Sequence, residues 1–185
     1  MKIVILLAAF FLSSIGLWAQ AKTTQDLQAK FENSLSLYFY KNTLRMLNQS
    51  ENKEFDEMVK NIDKLKFLMV DKTSKNFGVQ DYAKLKKDYQ AEDYESAVTS
   101  RYHGKNFDVF IKDKKGSSPG TVVLVNDSTS LYVLDMIGTI DVLQAGKLFS
   151  TIDESSDIGK KIRNFTEHKD KKDKEKDKDK EPSDH

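Results

Sequence analysis

The chain has 185 residues, of which about 140–145 carry the apolar content of a folded unit, enough for one domain and too few for two. Lys and Arg number 30 against 29 Asp and Glu, so no strong field directs the chain toward nucleic acid or an anionic membrane. The absence of cysteine excludes disulfides, thiol catalysis, Cys-ligated zinc, iron–sulfur clusters and an acylated Cys anchor, and three histidines leave little scope for metal or general-base schemes.

Met1-Lys2 supplies a short positive region, and Ile3 to Leu12 form an unbroken apolar run. Ser13, Ser14 and Gly16 end that run, and small residues follow at Ala19 and Ala21. This is the layout of a secretory signal peptide over residues 1–19, cut between Ala19 and Gln20, with a cut after Ala21 also fitting the small-x-small rule. The alternative is an uncleaved anchor, because Ile3 to Ala19 reaches the lower limit for crossing a bilayer, about 17 residues. The helix-weakening Ser-Ser-x-Gly favours cleavage. No later segment is long and apolar enough to span a membrane as a helix. The expectation is an exported protein of the periplasm or cell surface, with no transmembrane segment after cleavage.

Residues 20–158 read as one domain. Lys22 to Asn33 is polar with Leu27 and Phe31 four apart, a short amphipathic helix. Leu35, Leu37 and Phe39 alternate with Ser36, Tyr38 and Tyr40, which predicts a strand, and Lys41 to Gln49 returns to helical residues. One continuous helix from Thr24 to Gln49 is the competing reading. Phe55, Met58, Val59 and Ile62 fall at i, i+3, i+4 and i+7, the clearest helical face in the chain. Leu65 to Val70 predicts a strand, and Val79 to Tyr89 a helix with Tyr82, Leu85 and Tyr89 on one stripe.

From Tyr94 the period changes to two. Tyr94 to Tyr102 and Phe107 to Ile111 predict strands around a turn at His103–Asn106. Val122 to Val125, apolar on both sides, predicts a central strand, and Leu131 to Ile137 the next, after a turn at Asn126–Thr129. Asp141 caps a last helix whose Val142, Ala145, Leu148, Phe149 and Ile152 face inward. Strands joined by short turns pair antiparallel. The expected class is α+β: an antiparallel sheet of about five to six strands with amphipathic helices packed on one face. Phe55, Met58, Ile62, Phe149 and at least one of Val123 and Leu124 are expected to share its core. Residues 159–185 are expected to be a disordered tail, since Lys169 to Glu181 consists of Lys, Asp and Glu alone.

The residues offer no catalytic constellation. Gly116-Ser117-Ser118-Pro119-Gly120 satisfies G-x-S-x-G, but it lies between two strands, and the only histidines after it fall in the tail. His103 reads as a turn histidine, not a ligand. Asp135 and Asp141 flank the Gly138 turn as a possible acid pair, though Asp141 is explained as a helix cap. The alternating acids and lysines at Asp173–Asp179 lack the glycine of a calcium loop. No cofactor and no metal are expected. The tyrosines carry more: Tyr38, Tyr40, Tyr94, Tyr102 and Tyr132 lie on strands and make a candidate binding face, since tyrosine combines a large contact area with a polar tip. Packing under loops or against cross-strand partners is the structural alternative.

From about Gln25 to Asp153 the chain resembles the exported Bacteroidota family of the domain of unknown function numbered four-two-five-two. The resemblance rests on Tyr38-Phe39-Tyr40-Lys41 leading to Leu44 and Met46-Leu47, on Ile62-Asp63-Lys64-Leu65-Lys66 before an apolar strand, and on Gly138-Thr139-Ile140-Asp141 followed by Leu143 and Leu148. It implies a small envelope protein and carries over no catalytic residue. It also implies Ser128 as a candidate O-glycosylation site, because exported proteins of that group are modified at Asp-Ser/Thr and Asp127-Ser128-Thr129 fits; an unmodified turn is the alternative. The expected function is a non-enzymatic interaction module binding an envelope protein or glycan, with no nucleic-acid partner. A carboxylate-based hydrolase and a regulatory partner in an envelope-stress signalling pathway are the rival readings.

Overall fold

The computed structural model describes residues 20–48, 51–102, 104–113 and 119–152, with the backbone alone at 102, 142–143 and 150–152. The expected signal peptide with Ala19, the serine motif through Ser118, His103 and the charged tail lie outside the described residues. Leu35–Tyr40 forms β1, Ile62–Asp71 β2, Glu95–Tyr102 β3, Lys105–Lys112 β4, Gly120–Asn126 β5 and Ser130–Gly138 β6. All pairings are antiparallel, in one sheet of order β1-β2-β6-β5-β4-β3. The strands β3 to β6 make a meander on short connections. β2 enters beside β6, and β1 pairs outside it. The alternation of Leu35, Leu37 and Phe39 does form a strand, so the reading of one continuous helix over residues 24–49 falls.

The described helices are Lys22–Lys30 (α1), Lys41–Met46 (α2), Lys53–Val59 (α3), Val79–Ala91 (α4) and Val142–Ile152 (α5), with a 3-10 turn at Lys72–Lys75. The fold is α+β with a six-stranded antiparallel sheet. Phe67, Val123, Val125, Leu134 and Met136 share one sheet face with Leu44 of α2, Phe55, Met58 and Val59 of α3, and Ala145 and Leu148 of α5. Leu68, Val70, Phe110, Val122, Leu124 and Val133 share the other with Leu27 of α1 and Tyr82, Leu85 and Tyr89 of α4. Helices therefore cover both faces, which corrects the expectation of one. The reason lies in the central strands: β5 is buried at every position, and two apolar faces need two covers. Of the expected core, Phe55, Met58, Ile62 and Val123 are buried together with Phe149 packed against them, while Leu124 belongs to the opposite face.

The periodic face from Phe55 to Ile62 is split between two elements. Asn52 caps α3, its side-chain oxygen accepting from Glu54 N at 2.8 Å and Phe55 N at 3.3 Å. The helix ends at Val59, and Ile62 opens β2 opposite Gly138. Gly138 has φ +120°, and a Cβ there would lie 2.1 Å from the Asn61 carbonyl oxygen. Only glycine permits this approach, at a pair that an irregularity between Ile62 and Lys64 sets one residue off the rest of the β2–β6 ladder.

Ile62 is fully buried, so Ile62→Ala is expected to cost about 2–5 kcal/mol in denaturant unfolding. A loss below about 0.5 kcal/mol, the size of a surface change, would contradict its place in the core. Gly138→Ala combines a left-handed backbone with a clash and should cost at least about 1–3 kcal/mol by the same measurement.

Candidate functional site

Three charged side chains point from the strands into the face covered by α1 and α4: Lys66 of β2, Asp108 of β4 and Asp135 of β6, each at most 1% exposed. Each needs an answer within the protein, because a buried charge without partners is costly. Asp108 has a complete one. Tyr82 donates its hydroxyl at 2.5 Å, Thr99 at 2.8 Å and Lys86 Nζ at 3.3 Å. Burial, then the bonded Asp108 carboxylate, holds the Tyr82 hydroxyl well above the usual tyrosine range. This network is structural.

Asp135 is answered by the start of α1. Ala21 N donates to Oδ2 at 3.0 Å, and Gln20 Nε2 donates to the Asp135 carbonyl oxygen at 3.3 Å. The Thr24 hydroxyl lies 2.9 Å from the Tyr89 hydroxyl and near enough to the carboxylate to favour its charged form. Lys66 is the cross-strand partner of Asp135. Among the described residues, Asp135 Oδ1 has no hydrogen-bond partner. Burial pushes the Asp135 carboxyl up to about 6 against the pull of Thr24, Ala21 N–H and Lys66, and Glu92 adds to the rise. Tyr89 is likewise held well above the usual tyrosine range, first by burial and then by the Asp135 charge, and burial raises Tyr94 in the same way.

The first turn of α1 carries no acid of its own and no side-chain cap. Glu92 supplies one from the end of α4: it accepts from Lys22 N at 2.8 Å, from Thr23 N at 2.5 Å and from the Thr23 hydroxyl. Two carboxylates from distant sequence thus take the free N–H groups and face the positive end of the helix dipole. Sequence reading missed Lys66, Glu92 and Thr24. The available signal was parity, since Lys66 alternates with Leu68 and Val70 in a buried strand.

The five tyrosines do not form one face. Tyr38 and Tyr40 stand exposed on β1, 44% and 59%, with Lys64 Nζ 5.2 and 5.6 Å from their ring centres. Lys66 Nζ lies 5.4 Å from the Tyr38 ring, and the Tyr38 hydroxyl donates to Gln28 at 3.3 Å. Tyr94 is buried against Tyr89, its hydroxyl 2.8 Å from where a Gly120 Cβ would lie, so it belongs to the core and not to a binding face. Tyr132 is on the opposite sheet face, packed edge-on to Phe149. The Tyr102 side chain lies outside the described residues. Burial on two faces removes Tyr94 and Tyr132 from any shared surface, and the pair Tyr38 and Tyr40 is what the structure brings together.

Asp141 is exposed at the start of α5, its carbonyl accepting from Gln144 and Ala145 N–H, on the face opposite Asp135. The two acids therefore make no common site. Ser128 is exposed at the β5–β6 turn, where Asp127 Oδ1 binds Thr129 N and Ser130 N at 2.9 and 2.7 Å. A groove of about 430 Å³ runs between α1 and α4 over Leu27, Phe77 and Leu85. Its lysines pair across or along the helices, Lys22 with Asp26, Lys30 with Asp81 and Lys84 with Asp88, and its fourth acid, Glu92, is held by the Lys22 and Thr23 N–H groups, so the groove offers little field to a charged ligand. Among the described residues, no group of acids and histidines is placed to hold a metal, and no helix is long and apolar enough to cross a membrane.

The buried carboxyl gives a pH signature. In a chain that runs through residue 19 by an ordinary peptide bond, folded Asp135 keeps its proton to about pH 6 against 3.8 for the free side chain. The stabilisation from that proton is complete below about pH 4 and is lost as pH rises through 6. Relative to Asp135→Asn, the parent should lose on the order of 3 kcal/mol between pH 4 and 7. Parallel stability curves for the two proteins would contradict the burial of this group.

No curated protein and no solved structure matches the chain. The family model described as Domain of unknown function (DUF4252) matches residues 29–148, from the end of α1 into α5 and across all six strands. With well over half its length matched, the chain belongs to the DUF4252 family.

Proposed function

We propose that the protein is exported to the periplasm or cell surface and works there as a non-enzymatic interaction module, gripping an extended segment of an envelope protein along β1. The observation that carries this reading is the contrast between the two sheet edges. β3 carries Glu95 and Arg101 and a register shift between Ser96 and Val98, features that blunt an edge against further pairing. β1 reads Leu-Ser-Leu-Tyr-Phe-Tyr, with no charge and no shift in its register with β2. Among the described residues no strand pairs with its outer side. An added strand there would gain main-chain hydrogen bonds, and Tyr38 and Tyr40 would supply contact area with polar tips. Lys64, against both rings, favours a segment with an acidic residue in register. Ser128, exposed at the opposite sheet end of β6, is the proposed O-glycosylation position, clear of that edge in sequence and strand order.

The tagged mature protein is expected to recover a specific protein from native envelope extract. Tyr38→Ser with Tyr40→Ser should cut that recovery at least about ten-fold, while Ser96→Ala on the other edge leaves it unchanged. Equal recovery by both variants would overturn the assignment to β1, and recovery abolished by glycosidase treatment of the extract would point to a glycan instead.

A further inference from the structure

Asp135 sits beneath a chain end that the fold has already arranged. Gln20 and Ala21 are 8% and 3% exposed, Ala21 packs among Leu27, Phe31 and Tyr89, and the backbone N–H of Ala21 donates to Asp135 Oδ2 at 3.0 Å. The Gln20 side chain holds the Asp135 carbonyl from the same direction. The backbone nitrogen of Gln20 is one peptide unit from that of Ala21, so it lies about 3–4 Å farther along the chain. The second carboxylate oxygen, Oδ1, is buried and has no partner among the described residues. As an amide, the Gln20 nitrogen offers one neutral donor. As a free amine it would offer three donors and a positive charge, which is what a half-satisfied buried carboxylate lacks.

We propose that cleavage of the Ala19–Gln20 bond creates an α-ammonium group at Gln20 that pairs with Asp135 Oδ1, locking the processed chain end into the face covered by α1 and α4. The inference rests on the export reading above. The covalent step is hydrolysis by a host signal peptidase: the C–N bond breaks, the water oxygen goes to Ala19 as its carboxylate, and both water protons end on the Gln20 nitrogen as its ammonium. The alternative cut after Ala21 would discard both residues that cover Asp135 and place the new ammonium beside Glu92. The charged and titratable groups facing Asp135 are Lys66 from β2, Glu92 and Tyr89 from α4, and Tyr94 beyond it. Lys66 is already engaged with the Tyr38 ring, and Glu92 with the N–H groups of Lys22 and Thr23. A new cation at Gln20 adds the neutralisation these leave incomplete.

The test compares residues 20–185 with the same chain carrying Gly-Ser before Gln20, each as parent and Asp135→Asn, in denaturant unfolding at pH 7.5. The unextended parent should have an unfolding constant at least about ten-fold smaller than the extended one, the size of a buried charge-assisted pair. That gap should close in Asp135→Asn. Equal stabilities of the two parents, or a gap that survives Asp135→Asn, would overturn the pairing whatever the fate of the export reading. A second measurement is independent of stability: the Gln20 amine should resist acetylation at least about ten-fold better in the folded parent than in Asp135→Asn, read from the mass of the N-terminal peptide after digestion. Equal labelling would overturn the pairing as well. Protein from the native envelope should begin at Gln20 by mass. A start at Lys22 would overturn this inference alone, and retention of residues 1–19 would overturn the export reading.

Discussion

The central strands of this sheet are buried on both faces, and that constraint sets what every polar group on them must find. Asp108, Lys66 and Asp135 occupy positions where an apolar side chain would need no partner. Lys66 lies against the Tyr38 ring of β1 and across from Asp135, while the two carboxylates require donors delivered by the helices above. α4 delivers Tyr82 and Lys86 to Asp108. α1 delivers Ala21 N–H and Thr24 to Asp135. The dependence is mutual, because α1 has no cap of its own and takes Asp135 and Glu92 as its anionic end. Sheet and helix therefore complete one another's unsatisfied groups, and neither is fully satisfied alone.

The same reasoning separates the surface from the core more sharply than composition does. Seven tyrosines look alike in a list of residues, but their positions give them different tasks. Tyr82 donates to the buried Asp108 carboxylate, and Tyr89 holds the Thr24 hydroxyl of α1. Tyr94 and Tyr132 fill space on opposite faces. Only Tyr38 and Tyr40 on β1 are described as presenting much of their rings to solvent, and they do so on an edge with no charge of its own.

Much of the fold was legible because the local signals agree with the tertiary arrangement. Every expected strand formed within a few residues of its expected ends, since the alternation from Leu35 and Phe107 and the short apolar runs at Leu65, Val122 and Leu131 matched the pairing. The helix at Phe55–Ile62 was over-extended because Ile62 suits a helical face equally well, and only the contact with Gly138, distant in sequence, assigns it to β2. The two-sided cover was also present in the sequence: Val122 to Val125 is apolar on both parities, which calls for helices on both sides. The Asp135 site was not legible as such. Parity marks Asp135 as inward only once β6 is known to be central, and no local pattern relates it to Gln20 and Ala21, 114 or more residues away.

The sheet order also fixes how the chain must assemble. The strands β3 to β6 meet their neighbours across short connections, so their pairing closes small loops. The β2–β6 contact joins Asp71 to Ser130 and Ile62 to Gly138, and it closes a loop of about sixty to seventy-five residues before any reward is gained. Such non-local pairing is the slow part of folding. The meander is thus the natural nucleus, and β1–β2 docks onto it late. Until it docks, the inner edge of β6 stands open, with Leu134 and Met136 on one face and Val133 and Asp135 on the other. The interval in which that edge waits for β2 is when the chain is most exposed to pairing with another copy of itself.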